Sequence, residues 1–136
     1  MGAGGLLVLF VLLAGLVLLD YMTHVVGWEN WAKVVRARRA IRGLVRERMR
    51  EARVRSFGAT HLSNKLLCLG IDVPTDAERD QLRSDTGFLE EARQQLRKIG
   101  YPEHAIPFVE FSVESQETVD RDFDGSWTRA RKQPAR

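Results

Sequence analysis

Three groupings of residues in this 136-residue chain are spaced for chemistry. Asp20 and His24 stand four apart, one helical turn, at the end of an apolar run, and ionisable residues in a membrane helix mark a functional position. Asp120, Asp122, Asp124 and Gly125 lie in the run DRDFDG, with carboxylates at alternate positions and then a glycine, as in the opening of an EF-hand-like calcium loop. The twelfth position of that loop is Arg131, where such loops carry a bidentate Glu. The third grouping is basic. Lys33, Arg36, Arg38, Arg39, Arg42 and Arg46 follow one another with no acid between them, which suits anionic lipid or an acidic partner subunit. No aromatic-interleaved strand or zinc spacing accompanies them, so nucleic acid is not the expected partner.

Catalysis has no comparable signature. His61 in THLSNK and His104 in PEHAIP lack a nucleophile or a Gly-rich phosphate loop beside them, and Glu90 and Glu91 face different sides of a helix. The single cysteine, Cys68 in LLCLG, excludes an internal disulfide and reads as a small buried hydrophobe. The chain is therefore expected not to be an enzyme.

His24 followed by Trp28 at a helix end resembles the light-harvesting antenna polypeptides, in which a membrane histidine ligates bacteriochlorophyll and nearby tryptophans bond its carbonyls. The resemblance covers Asp20 to Trp31, and it implies His24 as a pigment ligand. Asp20 stands where that family usually has a small residue.

The elements that must position these residues begin with the longest apolar stretch. Residues 2–19 contain no charged or strongly polar side chain, and as a helix they span roughly 27 Å, about the hydrocarbon thickness of a bilayer. No Lys or Arg precedes the run and its exit LLDYMTHVV has no small-residue pair, so an uncleaved anchor is expected over a signal peptide. Basic residues crowd only the C-terminal flank, which predicts the N-terminus outside and the remainder in the cytoplasm, more in keeping with a bacterial inner membrane than an organelle. Asp20, Tyr21, His24, Trp28 and Trp31 then form the inner membrane interface.

Net charge is segregated along the chain. Residues 1–28 carry −1, residues 29–57 carry +7, residues 58–124 carry −7 and residues 125–136 carry +4. Those four segments serve as the expected organisation: anchor, basic juxtamembrane helix, small acidic helical region, basic tail. Apolar residues at three- and four-residue intervals predict a helix over 29–55, with Gly27 the place for a bend. ATHLSNKLLCLG predicts a short helix stopped by Gly70. Thr75 three before Glu78 predicts a capped helix from Asp76, and SDTG interrupts it. FLEEARQQLRK predicts a helix stopped by Gly100, and PFVEFSV alternates as a strand over 107–113. A lone strand leaves its backbone groups unpaired, so it is expected to need a partner chain.

The fold class expected is mainly α: one transmembrane helix, a basic amphipathic helix, and a small helical region with one extended arm. The function expected is a non-enzymatic accessory or assembly subunit of a large membrane complex, photosynthetic or respiratory. The rival is a membrane-tethered regulatory or binding module responsive to calcium or lipid.

Overall fold

A computed structural model describes residues 2–24 and 27–132, without the side chains of residues 23 and 24. Helix α1 (Ala3–His24) includes a 20-residue window, Ala3–Met22, long and apolar enough to cross a membrane, and none of that window is buried against the rest of the chain. Gly27 follows with φ +68°, a left-handed conformation that an L side chain rarely adopts, and α2 (Trp28–Arg48) starts immediately after it. The bend predicted at Gly27 is therefore present.

Beyond Gly27 the chain is not purely helical. Three strands, β1 (Arg53–Phe57), β2 (Cys68–Val73) and β3 (Glu110–Ser115), form one sheet in that order. β1 runs antiparallel to β2, with Val54 opposite Ile71 and Phe57 opposite Cys68. β3 runs parallel to β2, with Ile71 opposite Val113. Between the parallel strands the chain crosses over through α3 (Asp76–Ser84) and α4 (Phe88–Lys98), as parallel pairing requires. Two short helices, α5 (Gln116–Phe123) and α6 (Trp127–Lys132), close the described chain.

Alternation assigns the two faces of the sheet. Val54, Leu69, Ile71, Phe111 and Val113 turn toward the core, where α2 and α4 cover them. α2 contributes Val34, Ala37, Ile41, Leu44 and Val45, all buried. α4 contributes Phe88, Ala92 and Leu96, and the Phe88 ring meets Phe111 edge-on at 6.4 Å. Arg53, Arg55, Phe57, Cys68, Asp72, Glu110 and Glu114 occupy the other face.

Several expectations hold. α3 begins at Asp76 behind a complete capping box, in which Thr75 Oγ1 accepts from the Glu78 amide at 3.2 Å and Glu78 Oε2 accepts from the Thr75 amide at 3.3 Å. α4 ends at a left-handed Gly100, φ +77°.

Others are corrected. The helix predicted to Arg55 stops at Arg48, because Val54 and Ser56 alternate with Arg53 and Arg55 at a period of two. The helix predicted over ATHLSNKLLCLG is a turn, a 3-10 segment (Asn64–Leu66) and then β2. A central strand buried on both sides reads as a continuous apolar run, which periodicity alone does not separate from helix. The strand predicted at 107 starts at Glu110, after a 3-10 turn (Ile106–Phe108), and it pairs with β2 of the same chain. It is an edge strand, paired on one side within the chain. The boundary expected after residue 57 cuts the β1–β2 hairpin, and the tail expected to be irregular contains α6.

Gly58 makes the hairpin possible. Its φ is +102°, and a Cβ there would lie 1.8 Å from the Leu66 carbonyl oxygen, a contact no rotamer relieves. Gly58→Ala is expected to destabilise the domain by more than ~1 kcal/mol. Gly43→Ala, on the exposed side of α2 with no heavy atom within 4 Å of the new Cβ, is expected to stabilise it by ~0.5–1 kcal/mol. Urea unfolding of the two variants in mild detergent, followed by far-ultraviolet dichroism, checks the opposite signs.

Candidate functional site

Packing of α2 decides where its basic residues point. Because Val34, Ala37, Ile41, Leu44 and Val45 face the sheet, the 100° step of a helix carries Arg36, Arg39, Arg42 and Arg46 to the opposite, exposed side. Arg38 flanks this stripe and is exposed, and Lys33 is half-buried. The expected lipid- or partner-binding residues thus share one helix, five of them exposed.

These arginines lack internal partners, and they share this with Arg50, Arg53, Lys98, Lys132 and the buried Arg93 Nε. Several other cations are used by the fold. Arg48 bonds Asp85 at 3.2 Å and Glu91 at 2.7 Å, and Arg97 bonds Glu103 at 3.0 Å. Arg79 bonds Asp80 at 2.9 Å and Glu114 at 3.2 Å. Among the described residues, Arg36, Arg38, Arg39 and Arg42 form no ion pair and no side-chain hydrogen bond, and Arg46 reaches only the Ala52 carbonyl at 3.4 Å. Much of the acidic surplus of 58–124 is neutralised in place, while the positive charge of α2 remains available.

Two carboxylate clusters on the other side of the molecule were not anticipated. Asp76, at the start of α3, accepts hydrogen bonds from Ser115 Oγ, from Thr118 Oγ1 at 2.7 Å and from Arg121 Nη1 at 3.0 Å. Those bonds, with the Arg79 charge 3.3 Å away, hold its carboxyl well below the usual carboxylate range. Ser115 is fully buried and spends its hydroxyl on this bond, with no histidine among its partners. The arrangement is a cross-link between α3, β3 and α5, and it lacks the base a nucleophile would need.

Asp72 is the last residue but one of β2, where burial pushes its carboxyl up. Arg131 of α6 at 3.2 Å and Arg55 of β1 at 3.3 Å oppose that shift. The Arg131 guanidinium also lies 4.4 Å from the centre of the Phe57 ring and 5.1 Å from that of Trp127. Arg131, the residue that broke the calcium-loop pattern, is thus the clamp that fastens α6 to the sheet. A charge in the apolar run LGIDV was the sequence signal that such a partner had to exist.

The calcium expectation fares differently from the basic one. Asp120 and Asp122 lie within α5, and Asp124 is its left-handed C-cap, φ 50°. Successive alternate positions on a helix point ~200° apart, so the Asp122 carboxylate points away from that of Asp120. Asp120 accepts from Gln116 at 2.8 Å, Asp122 from Arg121 at 3.1 Å, and Asp124 pairs with Arg129 at 3.6 Å. Among the described residues no three His, Cys, Asp or Glu side chains come together as a metal-ligand set. The expected loop is corrected to a helix end.

At the membrane end, Asp20 and Tyr21 are exposed in the last turns of α1, and Trp28 and Trp31 are exposed with ring centroids 5.1 Å apart. The His24 side chain, and with it the pigment expectation, lies outside the described residues. Cys68 is half-buried, and burial pushes its thiol up, which leaves it a poor nucleophile at neutral pH. Tyr101 is buried and donates to the Asn64 carbonyl at 2.6 Å, with its phenol pushed up to about 12 by burial. No family model, curated protein or solved structure matches this chain.

The two clusters predict opposite responses to acid. Asp76 is depressed in the fold, so its contribution is present above the unfolded carboxylate value of ~4 and is lost as the pH falls below it. Asp76→Asn is expected to lower the unfolding midpoint at pH 7 and to flatten its acid dependence below about pH 4. Asp72 is raised, so its folded form favours the proton and its contribution grows as the pH falls. Removing the opposing cation with Arg131→Met is expected to raise the Asp72 value further, read by carboxyl-carbon NMR titration, and to free α6.

Proposed function

We propose that this chain is a membrane-tethered, non-enzymatic binding module that holds an acidic partner protein beside the membrane through the exposed face of α2. The observation that carries the proposal is the cluster of arginines at 36, 38, 39 and 42, gathered on one helix, all exposed and all without internal partners. Exposed like charges on one face repel one another, an expense that an acidic counter-surface removes. Five buried side chains of α2 fix the rotation of the helix, so the basic pattern is rigid and a shaped protein surface can match it.

Distance favours protein over lipid. The basic stretch begins about 9 Å along the helix from Gly27 at Lys33 and reaches about 28 Å at Arg46. An α2 that rises from the bilayer carries most of it beyond the ~8 Å screening length at physiological salt. The pairing of β3 with β2 of the same chain supports a module over an incomplete accessory chain. The proposal keeps the N-terminus outside and residues 27–132 in the cytoplasm, on the distribution of basic residues.

A photo-crosslinking residue in place of Arg39 in the full chain, expressed in its membrane, tests the reading against the same residue at Thr86. A discrete protein adduct is expected at 39 and not at 86. Combined Arg36→Glu and Arg42→Glu substitutions are expected to weaken that adduct about tenfold or more without altering the unfolding midpoint. Adducts only to lipid, or recovery of the chain as a lone monomer after gentle solubilisation, overturn the proposal.

A further inference from the structure

Large apolar side chains remain exposed at one corner of the domain, the corner where the membrane helix joins it. Among the described residues outside α1 the exposed large hydrophobics are Trp28, Trp31, Leu62, Leu66, Leu89 and Phe108, and all but Leu89 belong to the start of α2, the β1–β2 connection that packs on it, or the turn that packs on that connection. The connection between β1 and β2 packs on the start of α2: a Cβ at Gly27 would stand 3.7 Å from that of His61, and Asn30 Nδ2 donates to the Thr60 carbonyl at 3.4 Å. The same connection then carries Leu62, 74% exposed, and Leu66, 49% exposed. Next to it lies the 106–108 turn, with Phe108 56% exposed beneath the Lys65 ammonium at 4.8 Å.

These side chains are held out by a well-bonded backbone. The Leu62 amide donates to the Ala59 carbonyl at 2.9 Å and the Leu66 amide to that of Ser63 at 3.1 Å. Tyr101 anchors the Asn64 carbonyl, and the Glu110 amide donates to the Leu67 carbonyl at 3.1 Å. A loop braced by these backbone bonds that turns leucines outward beside an exposed phenylalanine is an apolar contact surface. Residues 56–71 contain no acid, so nothing on this loop repels an anionic headgroup, and Lys65 can reach one while its stem lies on Phe108.

We propose that Leu62, Leu66 and Phe108 dock into the bilayer interface beside the point where α1 leaves it, so that the domain stands on the membrane as well as being tied to it. The occupant is the lipid surface because the patch is continuous, through His61 and Gly27, with the inner end of the helix that crosses it. The proposal rests on α1 spanning the bilayer, and the test separates the two.

The test uses the full chain in vesicles of phosphatidylcholine and phosphatidylglycerol. In a Cys68→Ser background, a fluorophore is placed in turn by Leu62→Cys, Phe108→Cys, Leu89→Cys and Phe10→Cys, and quenching by lipid-borne nitroxide is compared with quenching by aqueous iodide. Lipid quenching is expected at 62, 108 and 10, and iodide quenching at 89. Iodide quenching at 62 and 108 with lipid quenching at 10 overturns the docking and leaves the anchor standing. Iodide quenching at position 10 as well overturns both. Hydroxyl-radical footprinting of the unaltered chain in nanodiscs gives a readout free of substitutions: protection of Leu62, Leu66 and Phe108 with oxidation of Leu89 is expected, and equal oxidation of all four refutes the docking.

Discussion

Helix α2 buries Val34, Ala37, Ile41, Leu44 and Val45 against a sheet assembled from later parts of the chain, and through that contact the helix that follows α1 becomes part of the core. An isolated helix of this sequence, crowded with arginines, would be held together weakly and could rotate freely about its axis. Packed, it has one orientation: a rotation that exposed the apolar stripe would cost about 1.5–3 kcal/mol for each large aliphatic side chain returned to water. The direction of the unpaired arginines is therefore a consequence of core packing. Helix α1, long and apolar enough to cross a membrane, would need no such support there, since bilayer lipid would supply its apolar surroundings and its backbone bonds are internal.

The sheet that receives α2 depends in turn on β2. It is the strand paired on both sides, and Leu69, Ile71 and Val73 are buried to within a few per cent. Asp72 in the same strand is the one charge buried with them. A buried carboxylate without a cation would cost several kcal/mol, so Arg131 and Arg55 are structural requirements of that position. Their geometry explains why a six-residue helix with no buried residue of its own is held at all. Just beyond the same end of β2, Asp76 does comparable work through hydrogen bonds and ion pairs, joining α3 to the β3–α5 corner through Ser115, Thr118 and Arg121. Both clusters consume groups that in another setting would carry chemistry.

Helices with local punctuation were legible in the sequence. Thr75 and Glu78 announced α3, Gly100 ended α4, Gly27 took the bend, and the alternation of Phe111 and Val113 with Glu110 and Ser112 gave β3 its faces. The two strands that escaped did so for identifiable reasons. β1 is five residues inside a long arginine-rich segment, where periods of two and of three to four fit equally well. β2 is apolar at nearly every position because it is central, and Gly70, which reads as a helix stop, is there because the Phe57 ring lies where a side chain would go, 2.7 Å from a Cβ at that position. Missing those two strands made the third look solitary. The basic residues of the candidate site were legible as a group because charge runs need no tertiary information. That they lack partners was not, since pairing is set by which acids the fold brings to which arginines.

The two surfaces left uncommitted differ in kind and sit at different heights on one helix. Trp28 and Trp31 occupy the first turn of α2 with the apolar loop tips beside them, whereas Arg36 to Arg46 lie roughly 13–28 Å along the axis from Gly27. An apolar patch gains by entering the interface, and its gain is short-ranged, falling to nothing once a water layer separates it from lipid. The arginines gain from any negative surface within a screening length. If α2 lay flat, the bilayer would compete for the whole basic face and Leu62 and Phe108 would have to leave the interface or tilt into it. If the loop tips bear on the bilayer, α2 rises, and the arginines leave the reach of the headgroups in proportion to their position. On the proposed docking, apolar contact at the root would decide the electrostatics above it, lifting the basic face clear of lipid and leaving it to a macromolecule that approaches from the side.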